Sequence, residues 1–245
     1  MPIDRKRLDI RVKELLLAPT RQRAQALIMA GSVRVDGRPA DKPGLLVRED
    51  QRVELAGDGL PYVSRGGLKL QAALNALALD VGGWVCLDVG ASTGGFTDCL
   101  LQRGAGRVVA VDVGYGQMAW NLRQDPRVVV IERTNIRAID PEKVPEPFDL
   151  ITIDVSFISL KLVVPAVLRF LKPGGRLLPL VKPQFEVGKG EVGKGGVVRD
   201  PAQHEQVLAE LSRFFSGLGL ACGPVIPSPV LGPKGNREFF TLLKI

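Results

Sequence analysis

Two apolar runs end on residues that can hold and move protons. Ile151-Thr152-Ile153 leads into Asp154, and Leu180-Val181 into Lys182. In open parallel sheets the ligand crevice lies beyond the carboxyl ends of the strands, so both side chains are expected at its mouth. A lysine closing an apolar run is costly if it is buried without a partner, and carboxylate neighbours are therefore expected around Lys182. Two further charged groups stand at element boundaries: Lys69 in Ser64-Arg65-Gly66-Gly67-Leu68-Lys69, which opens a helix, and Glu238 in Asn236-Arg237-Glu238-Phe239, which opens the last strand.

A second set of residues has the types needed to cradle a ligand. The run Asp88-Val89-Gly90-Ala91-Ser92-Thr93-Gly94-Gly95-Phe96 places glycines at a strand-to-helix turn, where the backbone can approach a bound molecule that any Cβ would obstruct. Its G-x-x-x-G-G spacing departs from the G-x-G-x-x-G of dinucleotide binders. Asp112 ends the next strand 22 residues after Gly90, where a carboxylate can accept hydrogen bonds from ribose hydroxyls. The plainer alternatives are a helix-capping or turn acid at Asp88 and a strand-end surface acid at Asp112. Gly188 to Gly195 fits G-x-x-x-x-G-K, but Gly195 stands where a magnesium-holding hydroxyl is required, so ATP binding is not expected. A basic lid over an anionic substrate and an ordinary loop both remain open for it. His204, alone of its type, is expected at the surface of a helix, and the three scattered cysteines suit neither a disulfide framework nor a zinc site. No metal is expected, and the cysteine usage points to a reducing cytoplasm.

These groups need a scaffold that delivers distant segments to one place. Buried-type strands are expected at 84–89, 107–113, 128–131, 149–154 and 176–181, with helices at 94–103, 116–123, 159–171 and 202–216 between them. Two last strands, 221–226 and 238–244, follow each other without a helix, as a closing antiparallel hairpin would. The pattern predicts an α/β fold with a doubly wound sheet of seven strands, mostly parallel and covered on both faces. Ahead of it, Leu8, Val12, Leu15 and Leu16, then Ala24, Leu27 and Ile28 after Thr20, recur at helical spacing. Strand signals follow at 32–35, entering an Asp36-Gly37 turn, and at 51–55. Gly57, Gly59 and Pro61 mark a boundary, giving a small α+β unit over 1–60, a linker at 61–64 and the large unit over 65–245. The chain carries a net charge of +7, and residues 1–42 hold ten Lys/Arg against five acids, a clustering suited to a phosphate backbone. No export signal is expected, and the longest uncharged run, Phe214 to Pro233, is too broken by Gly and Pro to span a membrane.

The small unit resembles the S-four-type RNA-binding domain through Arg5 to Leu16, Arg21-x-Arg23-Ala24-x-x-Leu27-Ile28-x-x-Gly31-x-Val33-x-Val35-x-Gly37 and Val53-Glu54-Leu55. The large unit resembles a Rossmann-type methyltransferase. The order Lys69, Asp154, Lys182, Glu238 is similar to the Lys-Asp-Lys-Glu tetrad of the FtsJ/RrmJ-type ribose 2′-O-methyltransferases. Together with Asp154-Val155-Ser156-Phe157 and Lys182-Pro183-Gln184-Phe185-Glu186, nearly the whole chain resembles the TlyA (hemolysin A) family of rRNA 2′-O-methyltransferases. Thr93 and Phe96 depart from the FtsJ pattern, which has proline and tryptophan there. The resemblance implies the four tetrad residues as the catalytic group, with Lys182 as base or orienting group for the ribose oxygen. It implies S-adenosylmethionine held by Asp88, Gly90, Ser92, Gly94, Gly95, Phe96, Asp112, Asn135 and Asp154, Asn135 meeting the adenine edge. It further implies ribosomal RNA, free or in assembled subunits, gripped by Arg5, Lys6, Arg7, Arg11, Arg21, Arg23 and Arg65 in the cytoplasm. The competing expectations are a non-catalytic ribosome-assembly factor and, with no sequence feature in its favour, a membrane-active hemolysin.

Overall fold

In a computed structural model, the structure describes residues 5–18, 20–29, 31–55, 61–144, 147–188, 190, 192–193 and 195–245, with Ala26 described by its backbone alone. Gly57 and Gly59 of the expected boundary, and Lys189, Glu191 and Lys194 of the glycine-lysine loop, lie outside the described residues.

The small unit runs β1 (Arg5–Arg7), α1 (Leu8–Glu14), α2 (Arg21–Met29), β2 (Val33–Val35), β3 (Arg38–Pro39), β4 (Leu46–Arg48) and β5 (Val53–Leu55). Strand β2 lies between β3 and β5, and β1 pairs antiparallel with β4. Asp36 and Gly37 both take positive φ in a two-residue turn closing Val35 against Arg38, as a hairpin of right-handed twist requires. Leu8, Val12, Ala24, Ile28, Val33 and Val47 form its core. Leu15 and Leu16 do not extend the apolar face of α1 as their spacing predicts. The helix stops at Glu14, Leu16 adopts φ 56°, and both leucines are exposed while Ala18 turns into the core. Strands β1, β3 and β4 are too short to leave a period in the sequence. Asp9 is 0% exposed and accepts from Arg7, Arg21 and Gln25. Burial opposes its ionisation, but those hydrogen bonds, with the Arg21 charge, hold its carboxyl well below the usual range.

The large unit opens with α3 (Gly66–Ala76) and continues β6 (Val85–Val89), α4 (Gly95–Gln102), β7 (Arg107–Val111), α5 (Trp120–Arg123), β8 (Val128–Ile131), β9 (Phe148–Ile153), α6 (Leu160–Val167), β10 (Leu171–Val181), α7 (Pro201–Gly217), β11 (Ala221–Pro227) and β12 (Phe239–Lys244). The sheet order is β11-β12-β10-β9-β6-β7-β8, parallel from β10 to β8, with β12 antiparallel between β10 and β11. One face packs on α3 and α4 through Leu70, Leu74, Leu100 and Phe240, the other on α6 and α7 through Val163, Val167, Leu211 and Phe215. The doubly wound seven-stranded fold is thus present. Three expectations change. The helix expected at 116–123 survives only over 120–123, because Gly116 takes φ 68° and Ala119 is extended. Residues 61–64, expected as a linker, pack on the large unit: Tyr62 is buried in its core, Val63 N–H donates to Asp98 at 2.8 Å, and Gln102 donates to the Pro61 carbonyl at 2.7 Å. His204 is buried, with Nε2 3.0 Å from the Val198 carbonyl oxygen and its ring edge-on to Phe239.

Asp88, inside β6, shows how the sheet holds the helix that follows it. The N-cap position of α4 is Gly94, which has no side chain to satisfy the first-turn N–H groups. Asp88 does so from the strand: one oxygen accepts from Thr97 N–H at 3.0 Å and Thr97 Oγ1 at 2.7 Å, the other from Thr152 Oγ1 at 3.3 Å. Asp88 is 0% exposed and its carboxylate acts as a cap for α4, with both oxygens bonded within the protein. Burial pushes its carboxyl up to about 7, against the opposing hydrogen bonds of Thr97. That value lies above the ordinary aspartate value of about 4, so the stabilising contribution is complete below that pH and is lost as pH rises through about 7. From this group stability should fall between about pH 4 and about pH 7 and level off above that, with a slope of at most about 1.4 kcal/mol per pH unit. Asp88→Asn, which can still accept from Thr97, should flatten that dependence. Urea midpoints of both proteins across this pH range measure it, and parallel curves would contradict it.

Candidate active site

The four charged residues expected to act together arrive from four separate elements. Asp154 follows β9, Lys182 follows β10, Glu238 precedes β12 and Lys69 lies on α3. Lys182 Nζ is 2.5 Å from Asp154 Oδ1, and Lys69 Nζ is 2.5 Å from Glu238 Oε2. Both lysines are buried, and Glu238 is 1% exposed. Its second oxygen, Oε1, is buried without a hydrogen-bond partner and lies against Gly232, where any Cβ would overlap it.

The two pairs act on each other electrostatically. Burial opposes ionisation of Asp154, but the charges of Lys182 and then Lys69 outweigh it, and its pKa is lowered. For Glu238 burial dominates and raises the pKa, opposed by Lys69 and, more weakly, by Lys182, and reinforced by Asp154. Two cations and two anions therefore share one desolvated region, where each lysine is held by a carboxylate and an incoming hydroxyl would meet amine groups of fixed direction.

The glycine loop stands beside this group. Gly90 takes φ 85°, and a Cβ there would overlap the Asp154 main-chain oxygen, so glycine is required for β6 and β9 to end this close together. Gly94 takes φ 95° at the start of α4 and packs on Leu122, while Gly95 packs on the Ser64 hydroxyl. Phe96 is buried with its ring centroid 5.9 Å from that of Phe240. Gly94, Gly95 and the Phe96 side chain thus serve the packing of α4. Ser92, Asp112 and Asn135 retain surface. Asp112 accepts from Ser92 N–H at 2.8 Å through one oxygen and from Gly114 N–H at 2.6 Å through the other, which fixes its carboxylate while leaving lone pairs for a diol. Asn135 Oδ1 accepts from Arg137 N–H at 3.1 Å, a local turn bond that leaves its amide N–H groups for another acceptor. A fixed, partly exposed carboxylate at one strand end and the Asp154 carboxylate at another fit a ligand carrying a ribose and a positive charge.

The basic residues expected on RNA divide into distinct settings. Arg5 is exposed. Arg7 and Arg21, about half exposed, each bond Asp9. Lys6 and Arg11 both pair with Glu14, and Arg11 also donates to the Glu49 carbonyl at 3.1 Å. Arg23 is directed elsewhere: it donates to the Gln117 carbonyl of the large unit at 3.1 Å, and burial lowers its pKa. Arg65 packs against Gly31 of the small unit. Arg23 and Arg65 thus lie where the two units touch, both partly buried.

Two polar groups on the loops that carry Asp154 and Lys182 are given no role by the sequence. Ser156 Oγ accepts from Lys182 Nζ at 3.1 Å. Glu186 accepts from Ser159 Oγ at 2.6 Å and Leu160 N–H at 2.8 Å, and burial raises its pKa. Both stand in the quoted runs after Asp154 and Lys182, so proximity to those residues was the available signal. Among the described residues, no three His, Cys, Asp or Glu side chains gather as metal ligands would, and no helix is long and apolar enough to cross a membrane.

Comparison with known proteins agrees with this arrangement. Residues 62–245 match the FtsJ-like methyltransferase family and residues 6–53 the S4 domain. The chain is 50% identical over 241 residues to the 16S/23S rRNA (cytidine-2′-O)-methyltransferase TlyA of Mycobacterium tuberculosis, covering 98% of this chain and 90% of that one. It is 38% identical to Hemolysin A of Brachyspira hyodysenteriae, over 95% of this chain and 97% of that one. A solved hemolysin-named protein from Streptococcus thermophilus matches with a TM-score of 0.78 and 42% identity, covering 99% of this chain and 89% of that chain. On the extent of these matches, the chain belongs to the TlyA family of FtsJ-like methyltransferases, with an S4 domain at its N-terminal side.

Proposed function

We propose that this chain methylates the ribose 2′-oxygen of cytidines in ribosomal RNA in the cytoplasm, with S-adenosylmethionine as methyl donor and the small unit gripping folded RNA. The observation that carries the reading is the pair of buried lysine–carboxylate contacts beyond the ends of β9 and β10. The relatives' names supply the base and the substrate RNA.

When bound, S-adenosylmethionine supplies a methyl group on a positively charged sulfur. Asp112 would hold its ribose, Ser92 and the Gly90 backbone would flank it, Asn135 would meet the adenine edge, and Asp154 would face its positive end. The ribose hydroxyl is a weak acid and needs to lose its proton only as the new C–O bond forms. Lys182 Nζ takes or holds that proton, and Asp154 keeps the amine oriented. Lys69, paired with Glu238, supplies the second positive charge beside the oxygen as negative charge develops on it. Holding oxygen, methyl and sulfur in line contributes through proximity. On the RNA side, Arg5, Lys6, Arg7, Arg11 and Arg21 are the cations of the small unit that offer a phosphate backbone its contacts.

Incubation with labelled methyl donor and ribosomal subunits, followed by alkaline digestion, should leave the label in alkali-resistant dinucleotides. Label confined to base atoms would overturn the reading. Lys182→Ala should lower the methyl-transfer rate by at least about a hundredfold, the usual share of a general base. The donor should still bind in calorimetry, because Asp112, Ser92 and the Gly90 backbone are untouched by the change. Near-normal turnover would remove Lys182 from its role. Replacing Arg5 and Lys6 together by Gln should weaken RNA binding and reduce the slope of log K against log salt by about 0.7 per lost phosphate contact. An unchanged slope would place the RNA on another face.

A further inference from the structure

Lys182 Nζ has two recorded partners, and they differ in kind. Asp154 Oδ1 lies at 2.5 Å and carries charge, whereas Ser156 Oγ lies at 3.1 Å and accepts as a neutral hydroxyl. Both come from one short loop, two residues apart, so their separation is set by local backbone geometry. The loop is itself fastened to the segment that follows Lys182. Phe157, 91% exposed on a backbone with φ 62°, has its ring tilted at 48° to that of Phe185, with the centroids 5.0 Å apart. Ser159 Oγ and Leu160 N–H both bond the Glu186 carboxylate. The loops beyond β9 and β10 are thus joined at three levels: Lys182 with Asp154 and Ser156, Phe185 with Phe157, and Glu186 with Ser159 and Leu160. Ser156 belongs to the first of these levels and is exposed.

We propose that Ser156 is a positioning residue for methyl transfer: with Asp154 it fixes two of the three N–H directions of Lys182, so that the third points to the reacting hydroxyl. This rests on the functional reading above. One hydrogen bond to the carboxylate sets the torsion about Cε–Nζ. A second partner on another hydrogen narrows that torsion and restrains the flexible stem, so the two together aim the third direction more sharply than either alone. In the neutral amine the same two hydrogens stay with Asp154 and Ser156, leaving the lone pair in the third direction. As the ribose oxygen bonds the methyl carbon, the sulfur–carbon bond breaks and its electron pair stays on sulfur. The hydroxyl proton passes to Lys182 Nζ and is later lost to water. Misdirecting the lone pair slows this step without altering how RNA or donor is held.

The test is Ser156→Ala with Ser156→Thr beside it, in the full chain acting on ribosomal subunits. Ser156→Ala should lower kcat about tenfold, equivalent to about 1.4 kcal/mol, with KM for RNA and for donor within about twofold of the original. Ser156→Thr, which keeps the hydroxyl, should restore most of kcat. In donor-free protein carrying 15N-labelled lysine, Ser156→Ala should speed hydrogen exchange of the Lys182 ammonium at least threefold, a change that does not depend on turnover. An unchanged kcat in the Ala variant overturns the proposal, as does a raised KM for RNA at constant kcat, which would make Ser156 an RNA contact. Unaltered ammonium exchange overturns it as well. Unchanged protein that puts no label on ribose overturns both this proposal and the function on which it rests.

Discussion

The cost of removing charge from water governs how this site is built. Lys69, Lys182 and Glu238 are buried, and Asp154 is largely covered. An isolated lysine or carboxylate in such a place would lose several kcal/mol of hydration and would discharge by changing protonation. Pairing each lysine with a carboxylate at 2.5 Å keeps all four groups in place. The partners come from segments far apart in the chain, Lys69 meeting Glu238 and Lys182 meeting Asp154. Their meeting therefore depends on the sheet register that sets β9, β10 and β12 side by side, and a slip in that register would strand a charge.

The rest of the sheet is arranged to hold those ends steady. Gly90 lets the end of β6 close onto the backbone of Asp154. Asp88 reaches from β6 to the first turn of α4, doing from the strand what Gly94 cannot do from the cap. Asp112 ties the glycine loop to the end of β7 by accepting from Ser92 and Gly114. Each device uses a carboxylate or a missing side chain where two chain segments converge, so the crevice floor is fixed by covalently distant contacts rather than by loop stiffness.

The strand ends were legible in the sequence as unbroken apolar runs, and the grouping of the four charged residues came from the resemblance to a known tetrad. The apolar runs ending in Asp154 and Lys182 are unbroken strands buried on both faces, so their ends could be located and the crevice placed with them. Groups whose role depends on a partner's position were less legible. Asp88 reads the same whether it faces a ligand or caps a helix. Only the geometry, with Thr97 and Thr152 on its oxygens, shows the cap. Phe96 sits in a ligand-type loop yet belongs to the core, because α4 turns it toward Phe240. The segment 116–123 has helical residues, but the positive φ at Gly116 delays the helix to Trp120. The lone histidine looked like a surface residue because its partners, Val198 and Phe239, are remote or follow no pattern.

The same limit applies to the arginines of the small unit and explains why a basic cluster overstates a binding surface. A guanidinium can bond a phosphate, a carboxylate or a carbonyl with equal ease, and its long stem lets it reach any of them. Asp9, fully buried, must be neutralised for the small unit to fold, and it claims part of the bonding capacity of Arg7 and Arg21. Arg23 is spent on the Gln117 carbonyl, whose side chain in turn bonds Ser92 of the glycine loop. The segment between these bonds therefore touches both the small unit and the ligand loop. The positive charge of residues 1–42 thus performs three tasks: neutralising a buried acid, joining the two units and facing solvent. Only the last is free for a phosphate backbone. The Asp9 anion cancels one unit of that charge and the Gln117 carbonyl cancels none, so most of the long-range field that attracts an anionic partner remains while the number of direct grips is smaller than the residue count implies.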